Sequence, residues 1–299
     1  MTLILGVLTR EYVMLAADRR LTSVREGSRQ IVDESADKLF AQVKFDDAVI
    51  AVAFSGLARI GNFNTSAWLQ TNLLTARDPD NQLFPSLERL AAAATGEFKS
   101  NPEIQSVAAA ERRLVIAVVG YMKCEGKNWF AVERHISNFH PPGKPESPVA
   151  LDKFGVEPSR VLRRSPDACV VGCGDLRGLH SKSPKRLCNL ASRRMPLEKL
   201  RGELVGLIQT AARSPKSEGT IGTDVFTTSM TRAQAITTMV TKPSPTGGLI
   251  LEAPPTMVPS ADAFVKLTVQ TPRFTSGTGL GEPCGCGSGK LTRDCHPPR

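Results

Sequence analysis

The spacing of hydrophobic and polar positions changes along the chain, and each change predicts a different element. Aliphatic residues run through 2–8 and return in 12–17, then run through 38–43 and return in 48–54, with polar turns between the runs. Short aliphatic runs separated by turns are typical of β-hairpins. The pattern therefore predicts two hairpins at the start of the chain.

Two helical segments follow these hairpins. Residues 58–76 and 84–98 carry apolar side chains at steps of three and four, and the second segment includes four consecutive alanines at 91–94. This is the period of a helix with one buried face, and alanine has the highest helix propensity. Residues 113–122 and 128–136 return to aliphatic runs and predict another pair of strands.

The second half of the chain repeats this order. It predicts a short strand, two helices and three more strands, at 168–172, 176–192, 197–213, 224–229, 235–240 and 248–251. The proline-rich residues 140–145 predict a loop, because proline removes a backbone donor. Two blocks of strands, each leading into a pair of helices, predict a mixed α/β domain with antiparallel hairpins over residues 1–252.

The composition changes after this domain. Residues 253–281 are rich in Pro, Thr, Ser and Gly, which is typical of a linker, although 264–269 within it has the pattern of a strand. The remaining residues, 282–299, form a short tail that contains three cysteines and one histidine. The sequence thus predicts a main domain, a linker and a small C-terminal motif.

Net charge and the lengths of the apolar runs narrow the class of protein to which the chain can belong. The 299 residues include 38 Lys and Arg against 29 Asp and Glu, a net charge of +9 that favours anionic partners such as nucleic acid. Basic residues cluster at 160–164 and 182–201, but few aromatics accompany them, so solvated helix faces are favoured over base-stacking platforms. No apolar run approaches the roughly 20 residues of a membrane span, and the chain starts without a signal-peptide pattern. We expect a cytoplasmic protein.

Thr2 has the chemistry of an N-terminal nucleophile. It follows Met1 directly, and a small second residue such as threonine allows the initiator methionine to be removed. The hydroxyl and the free α-amine would then belong to one residue, and an amine with a pKa of roughly 7.7–8.0 can take the hydroxyl proton. The alternative is that Thr2 is simply the second residue of an edge strand.

The run 2–22 resembles the start of proteasome β-type subunits and related bacterial peptidases, which are N-terminal-nucleophile hydrolases. In that family an N-terminal Thr begins a strand, and a hairpin returns as Ala-Ala-Asp-x-Arg, where this chain has Asp18 and Arg20. Lys38 and Gly56 also stand in contexts that match the family's lysine and its glycine-containing turn. The resemblance implies a four-layer αββα sandwich, a peptide or protein substrate, and assembly into an oligomer.

The resemblance also implies a role for each matched residue. Thr2 would attack an amide carbonyl while its own amine relays the proton. Lys38, as an ammonium, would lower the pKa of the hydroxyl, and the Gly56 N–H would stabilise the oxyanion. Asp18 and Arg20 would orient Lys38.

Two positions depart from the family pattern. Where the family has a Gly-Ser-Gly turn whose serine supports the N-terminal amine, this chain has Gly172–Gly174 with Cys173 at the centre. A thiol is a weaker hydrogen-bond donor, and a small buried turn residue is an equally good interpretation of Cys173. The family's late Asp has no match in 213–219, where Ser217 is the nearest candidate.

The tail contains a complete set of zinc ligands. Cys284, Cys286, Cys295 and His296 supply three thiolates and an imidazole, with glycines that let the backbone turn tightly around an ion. The spacing resembles the SEC-C motif found at the C-terminus of the SecA translocation ATPase and on many other bacterial proteins. Four protein ligands leave no open position, so we expect one structural zinc ion per chain.

Two classes of function therefore remain. The first is an amide-bond hydrolase with Thr2 as its nucleophile. The second is a non-catalytic module that uses the sandwich as a scaffold and contacts an acidic protein, a ribosome or nucleic acid through its basic surface and its zinc tail. The missing late Asp favours the second class. Retention of four residues of the family pattern favours the first, which we place slightly ahead: Thr2, Asp18, Arg20 and Lys38.

Overall fold

Two antiparallel sheets form the centre of the structure, a computed structural model that describes residues 2–25, 28–124, 128–140, 145–158, 160–162, 168–233, 236–243 and 249–252. All of these residues belong to one unit, Met1–Phe264. The linker predicted at 253–281, the strand predicted at 264–269 and the zinc tail predicted at 282–299 lie outside the described residues.

Most of the secondary-structure elements in the described residues are strands. In chain order they are β1 (Leu3–Thr9), β2 (Tyr12–Asp18), β3 (Leu21–Arg25), β4 (Ser28–Asp33), β5 (Leu39–Lys44), β6 (Ala48–Gly56), β7 (Arg59–Ile60), β8 (Phe63–Asn64), β9 (Leu114–Cys124), β10 (Asn128–Ser137), β11 (Gly155–Val156), β12 (Arg160–Leu162), β13 (Ala168–Gly174), β14 (Val225–Thr231), β15 (Ile236–Pro243) and β16 (Leu249–Glu252). The helices are α1 (Thr65–Thr75), α2 (Leu83–Ser100), α3 (Pro102–Gln105), α4 (Ser183–Ser192), α5 (Leu197–Arg213) and a 3₁₀ turn, Pro215–Ser217.

The pairing of the strands divides them into two six-stranded sheets. The first has the order β13-β1-β2-β14-β15-β16, and the second has the order β11-β10-β9-β6-β5, with β12 also pairing with β10. Both sheets are antiparallel throughout. β3 pairs with β4, and β7 pairs with β8, as separate two-stranded hairpins.

The two sheets pack face to face, with helices on both outer faces. Strand β1 shows this arrangement directly: Ile4 and Leu8 lie in the core between the sheets, while Leu3, Leu5 and Val7 lie in the core beneath α4 and α5. The opposite face of the second sheet packs against α1 and α2. A strand covered on both faces needs a continuous aliphatic run, which is the pattern of 2–8.

Helix α2 shows why its segment was predictable. Leu83, Leu87, Leu90, Ala94 and Phe98 follow steps of three and four, and all five are buried against the second sheet. The predicted helix at 84–98 is therefore confirmed, and the helix predicted at 197–213 matches α5 at both ends. The prediction of a mixed α/β fold with antiparallel hairpins is also confirmed.

Two helix starts were predicted too early. Helix α1 begins at Thr65, not at 58, because the Asn64 side chain caps it by accepting from Ser66 N at 2.9 Å and Ala67 N at 3.2 Å. Helix α4 begins at Ser183, not at 176, because a helix from 176 would place Pro184 in its interior. The prediction also missed the β3–β4 hairpin. Among the described residues, no helix is long and apolar enough to cross a bilayer.

Candidate active site

Thr2 lies immediately before β1, in a pocket of main-chain and hydroxyl contacts. It is 3% exposed. Its carbonyl oxygen accepts from Asp175 N at 2.8 Å and from the Ser55 hydroxyl at 3.0 Å, and its own N–H donates to Ser55 Oγ at 3.3 Å. Two segments that are distant in sequence, at Ser55 and at Asp175, therefore hold the backbone of Thr2.

Asp18 ends β2, and its fully buried carboxylate is the centre of a hydrogen-bond network. One oxygen accepts from Leu3 N at 2.8 Å. The other accepts from Arg20 N at 3.1 Å, from Gly222 N at 3.0 Å and from Lys38 Nζ at 3.3 Å. Because β2 pairs with both β1 and β14, its end is placed between the start of β1 and the segment that precedes β14.

Lys38 stands just before β5 and is 1% exposed. Its ammonium group donates to the Asp18 carboxylate and to the main-chain oxygen of Arg20. Burial lowers the pKa of Lys38, and the neighbouring Asp18 carboxylate opposes that shift without cancelling it. The site therefore holds a buried lysine that releases its proton more readily than a lysine in water.

Arg20 contacts Lys38 through its backbone, and its side chain points elsewhere. The guanidinium group lies against Glu34, with distances of 2.9 and 3.0 Å to the two carboxylate oxygens, and it donates to the Gly219 oxygen at 3.0 Å. Arg20 thus links the loop after β4 to the segment that precedes β14. The network around Lys38 uses the carbonyl of Arg20.

Two glycines beside the site have conformations that other residues adopt rarely. Gly56, at the end of β6, has φ +117°, and a Cβ there would lie 2.0 Å from the Arg113 oxygen. Gly174, at the end of β13, has φ +90°, and a Cβ there would lie 1.7 Å from the Thr2 oxygen. Both positions require glycine, because backbone approaches so closely.

Cys173 and Ser217, the two candidates at the positions that depart from the family pattern, lie in structural surroundings. Cys173 pairs with Ile4 across β13 and β1, and its side chain is part of the core between the sheets. Burial raises the pKa of this thiol, and Glu133 and Glu157 raise it further. Ser217 lies in the 3₁₀ turn, where its hydroxyl donates to the Ser214 oxygen at 2.8 Å.

Several residues around Thr2 were not singled out from the sequence: Ser55, Asp175, Thr220 and Gly222. Ser55 and Asp175 directly adjoin Gly56 and Gly174 in sequence, which is a weak signal. The carboxylate of Asp175 accepts from the Thr220 hydroxyl at 2.7 Å and from Arg177 Nε at 2.9 Å. Burial alone would raise the pKa of Asp175, but the hydrogen bonds from Arg177 and Thr220 outweigh it and lower the pKa.

The predicted zinc ligands, Cys284, Cys286, Cys295 and His296, lie outside the described residues. Three thiolates and one imidazole are a donor set that suits tetrahedral zinc. Within the part of the chain that the structure describes, no cluster of three or more His, Cys, Asp or Glu side chains has the arrangement of a metal site.

A groove of about 470 Å³ lies on the outer helices, between α4 and α5. Its lining includes Arg186, Lys199, Gly202, Glu203 and Gly206. Thr2 is not among the lining residues, so this open groove and the buried polar network occupy different parts of the domain.

Comparison with known proteins adds a distant structural likeness. No protein-family model matches the chain, and no curated protein sequence matches it. Among solved structures, the chain is similar to Anbu (ancestral beta-subunit) from Yersinia bercovieri, with a TM-score of 0.46 and 14% identity over 79% of this chain and 86% of that chain. At this level of similarity the likeness supports no statement about activity.

Proposed function

We propose that the chain is an amide-bond hydrolase of the proteasome-like, N-terminal-nucleophile type, and that removal of Met1 exposes Thr2 as its nucleophile. The observation that carries this proposal is the position of the Asp18 carboxylate. It accepts from the main chain next to Thr2, at Leu3 N, and from the buried ammonium of Lys38. A buried charged pair is costly to keep, and in this proposal its ammonium gives the nucleophile electrostatic support.

The proposed reaction uses the two functional groups of Thr2. The hydroxyl oxygen bonds to the carbonyl carbon of the substrate while the hydroxyl proton moves to the α-amine. When the tetrahedral intermediate collapses, the C–N bond of the substrate breaks and the leaving nitrogen takes that proton. Water then hydrolyses the ester with the same amine as base, and the hydroxyl of Thr2 is restored.

Lys38 and Gly56 would stabilise charge in this reaction. An ammonium group near the hydroxyl of Thr2 favours the alkoxide, and Asp18 holds that ammonium in place. The N–H of Gly56 would donate to the oxyanion, a role that requires a backbone turn with no side chain in the way. The close approach of Gly56 to Arg113 supports the idea of a fixed turn at this position.

Labelling by a threonine-directed electrophile tests the proposal. A peptide epoxyketone or boronate should modify the native protein once, as read by intact mass. Thr2→Ser should retain labelling because it keeps a hydroxyl, and Thr2→Ala should lose it. Thr9→Ala, at the far end of β1, serves as the control and should label like the parent. If Thr2→Ala labels as fast as the parent, the hydrolase proposal fails.

We further propose that residues 282–299 bind one structural zinc ion through Cys284, Cys286, Cys295 and His296. When bound, the ion would organise the tail by tetrahedral coordination. Elemental analysis of the full chain should give one zinc per chain, and a chain that ends at Gly281 should give none. Equal zinc in both proteins would contradict the assignment.

A second candidate function is supported by the surface of α4 and α5. Six basic side chains there are exposed: Lys182, Lys185, Arg186, Arg193, Arg194 and Lys199. Such a surface suits an acidic partner protein, a ribosome or nucleic acid. In this proposal the domain is a binding module that works together with the zinc tail. Binding becomes the preferred function if Thr2 proves unreactive.

The hydrolase proposal, in contrast, includes assembly into a homo-oligomer. Sedimentation of the native protein would detect such an assembly.

A further inference from the structure

Ser55 is a buried hydroxyl that contacts both main-chain polar groups of Thr2. It is 2% exposed and lies on β6, one residue before Gly56. Its hydroxyl donates to the Thr2 oxygen at 3.0 Å, and Thr2 N donates to the same hydroxyl at 3.3 Å. A hydroxyl has one donor and two acceptor lone pairs, so with its proton directed at the Thr2 oxygen it can still accept from Thr2 N.

The surrounding backbone keeps Ser55 in this position. Ser55 pairs with Val115 of β9, one residue before the end of β6 and beyond the part of β6 that pairs with β5. On the other side, Gly174 approaches so closely that a Cβ would lie 2.6 Å from Ser55 Oγ. The Ser55 hydroxyl therefore sits in a space defined by β6, by the start of β1 and by the end of β13.

We propose that Ser55 is the positioning residue for the α-amine of Thr2, an inference that rests on the proposed hydrolase function. Once Met1 is removed, the nitrogen that donates to Ser55 is the amine that accepts the hydroxyl proton. By accepting one N–H, Ser55 fixes the direction of the amine lone pair and stabilises the ammonium that forms during attack. Ser55 itself exchanges no proton and forms no bond to the substrate.

Cys173 does not take this role. Its side chain lies in the core between the sheets, and burial raises the pKa of its thiol. Ser55, in contrast, adjoins Gly56, the proposed oxyanion donor. One turn at the end of β6 would thus hold the base and also stabilise the charge that develops on the substrate.

The test compares Ser55→Ala with Ser137→Ala. Ser137 is a buried serine that also pairs with Val115, so it lies on the same rung of the same sheet, and its hydroxyl accepts from Phe139 N and His140 N instead. The measurement is the rate constant of labelling by a peptide epoxyketone as a function of pH. We expect Ser55→Ala to label about 10- to 100-fold more slowly. Because the ammonium form loses an acceptor, the acidic limb of the profile should also shift to lower pH.

The possible results separate this inference from the proposed function. Slow labelling with a shifted limb in Ser55→Ala, and parent-like behaviour in Ser137→Ala, supports the positioning role. A parent-like rate and profile in Ser55→Ala, with Thr2→Ala inactive, overturns the inference and leaves the hydrolase intact. If Ser55→Ala does not fold, the labelling rate and pH profile of Ser55→Cys are measured in its place, and the same outcomes apply. The thiol fills the space of the hydroxyl but is a weaker acceptor.

Discussion

The buried network at Thr2 and the groove between α4 and α5 differ in burial, in hydrogen bonding and in the exposure of their charged groups. At the first, the carboxylate of Asp18 is fully buried and accepts four hydrogen bonds, three of them from residues 15 or more positions away. At the second, the volume is about 470 Å³, and the lining includes exposed charges such as Lys199. The groove is open and lined partly by exposed charges, whereas the charged groups of the network are buried and hydrogen-bonded.

This difference shows why volume is a poor guide to the candidate active site here. Exposed charges at a groove cost little to maintain and contribute little, because water screens them. A buried lysine and carboxylate are expensive to desolvate, and they persist only where the surrounding backbone satisfies them. The Thr2 network meets that condition, since three backbone N–H groups point at Asp18.

Replacement of Lys38 should have the largest effect. Lys38→Met keeps the length of the side chain but leaves the buried Asp18 without its cation, which should lower the free energy of unfolding by about 3–5 kcal/mol. Labelling of Thr2 should also be lost. Denaturant unfolding measures the first effect and intact mass the second, with the exposed Lys185→Met on α4 as control. A Lys38→Met protein as stable and reactive as the parent would show that the network has no function.

Glycine replacements should have opposite signs in the two regions. Gly174→Ala forces a Cβ to within 1.7 Å of the Thr2 oxygen at φ +90°, so it should destabilise the fold by about 1–3 kcal/mol and displace Thr2. Gly202→Ala, on the exposed face of α5, meets no atom within 4 Å and should stabilise its helix by about 0.5–1 kcal/mol. Thermal unfolding of both variants measures the contrast. Equal changes in the thermal unfolding of the two variants would contradict the distinction between the two regions.

Much of the fold follows from local pattern, whereas much of the site does not. Strands such as β1 and helices such as α5 were predictable because continuous burial or one buried face imposes a period on the sequence. The start of α1 was missed because it depends both on the cap from Asn64 and on the turn before it, which Glu103 holds by accepting from Asn62 N and Phe63 N from 40 or more residues away. Long-range contacts of this kind leave no local period.

The same limit applies to the candidate site residues. Asp18 and Lys38 were found because a family resemblance marks their spacing, and the structure places them 3.3 Å apart. Ser55 and Asp175 have no such mark, because their contacts with Thr2 arise only when β6 and β13 converge on β1. Cys173 stands at the expected position in sequence, but the alternation of β13 directs its side chain into the core.

Asp175 should give the Thr2 region a measurable pH dependence. Its pKa in the folded protein is lower than the ordinary value of 3.8, so its contribution to stability is present above that value and is lost as the pH falls through the folded pKa. Asp175→Asn should cost about 1.5–3 kcal/mol at neutral pH, and its unfolding free energy should fall less steeply than that of the parent below about pH 4. The half-exposed Glu146→Gln is the control. If the unfolding free energies of Asp175→Asn and the parent fall equally steeply below about pH 4, the lowered pKa of Asp175 is contradicted.

The smallest effect should come from the outer helices. Replacing Lys182, Lys185 and Arg194 together with glutamine should change the free energy of unfolding by no more than about 0.5 kcal/mol per site, because all three are exposed. Labelling of Thr2 should be unchanged. Salt-dependent binding to heparin, measured by elution from a column, should weaken. A large loss of stability would show that this surface is part of the fold and not a separate region.

The proposed mechanism requires Thr2 to be the N-terminal residue of the working protein. The intact mass of the native chain tests this requirement. We expect a mass lower than that of the full sequence by one methionine residue, which leaves the amine of Thr2 free beside Ser55. A native chain that retains Met1 throughout would contradict the proposed mechanism, because the base that the mechanism needs would be tied up in a peptide bond.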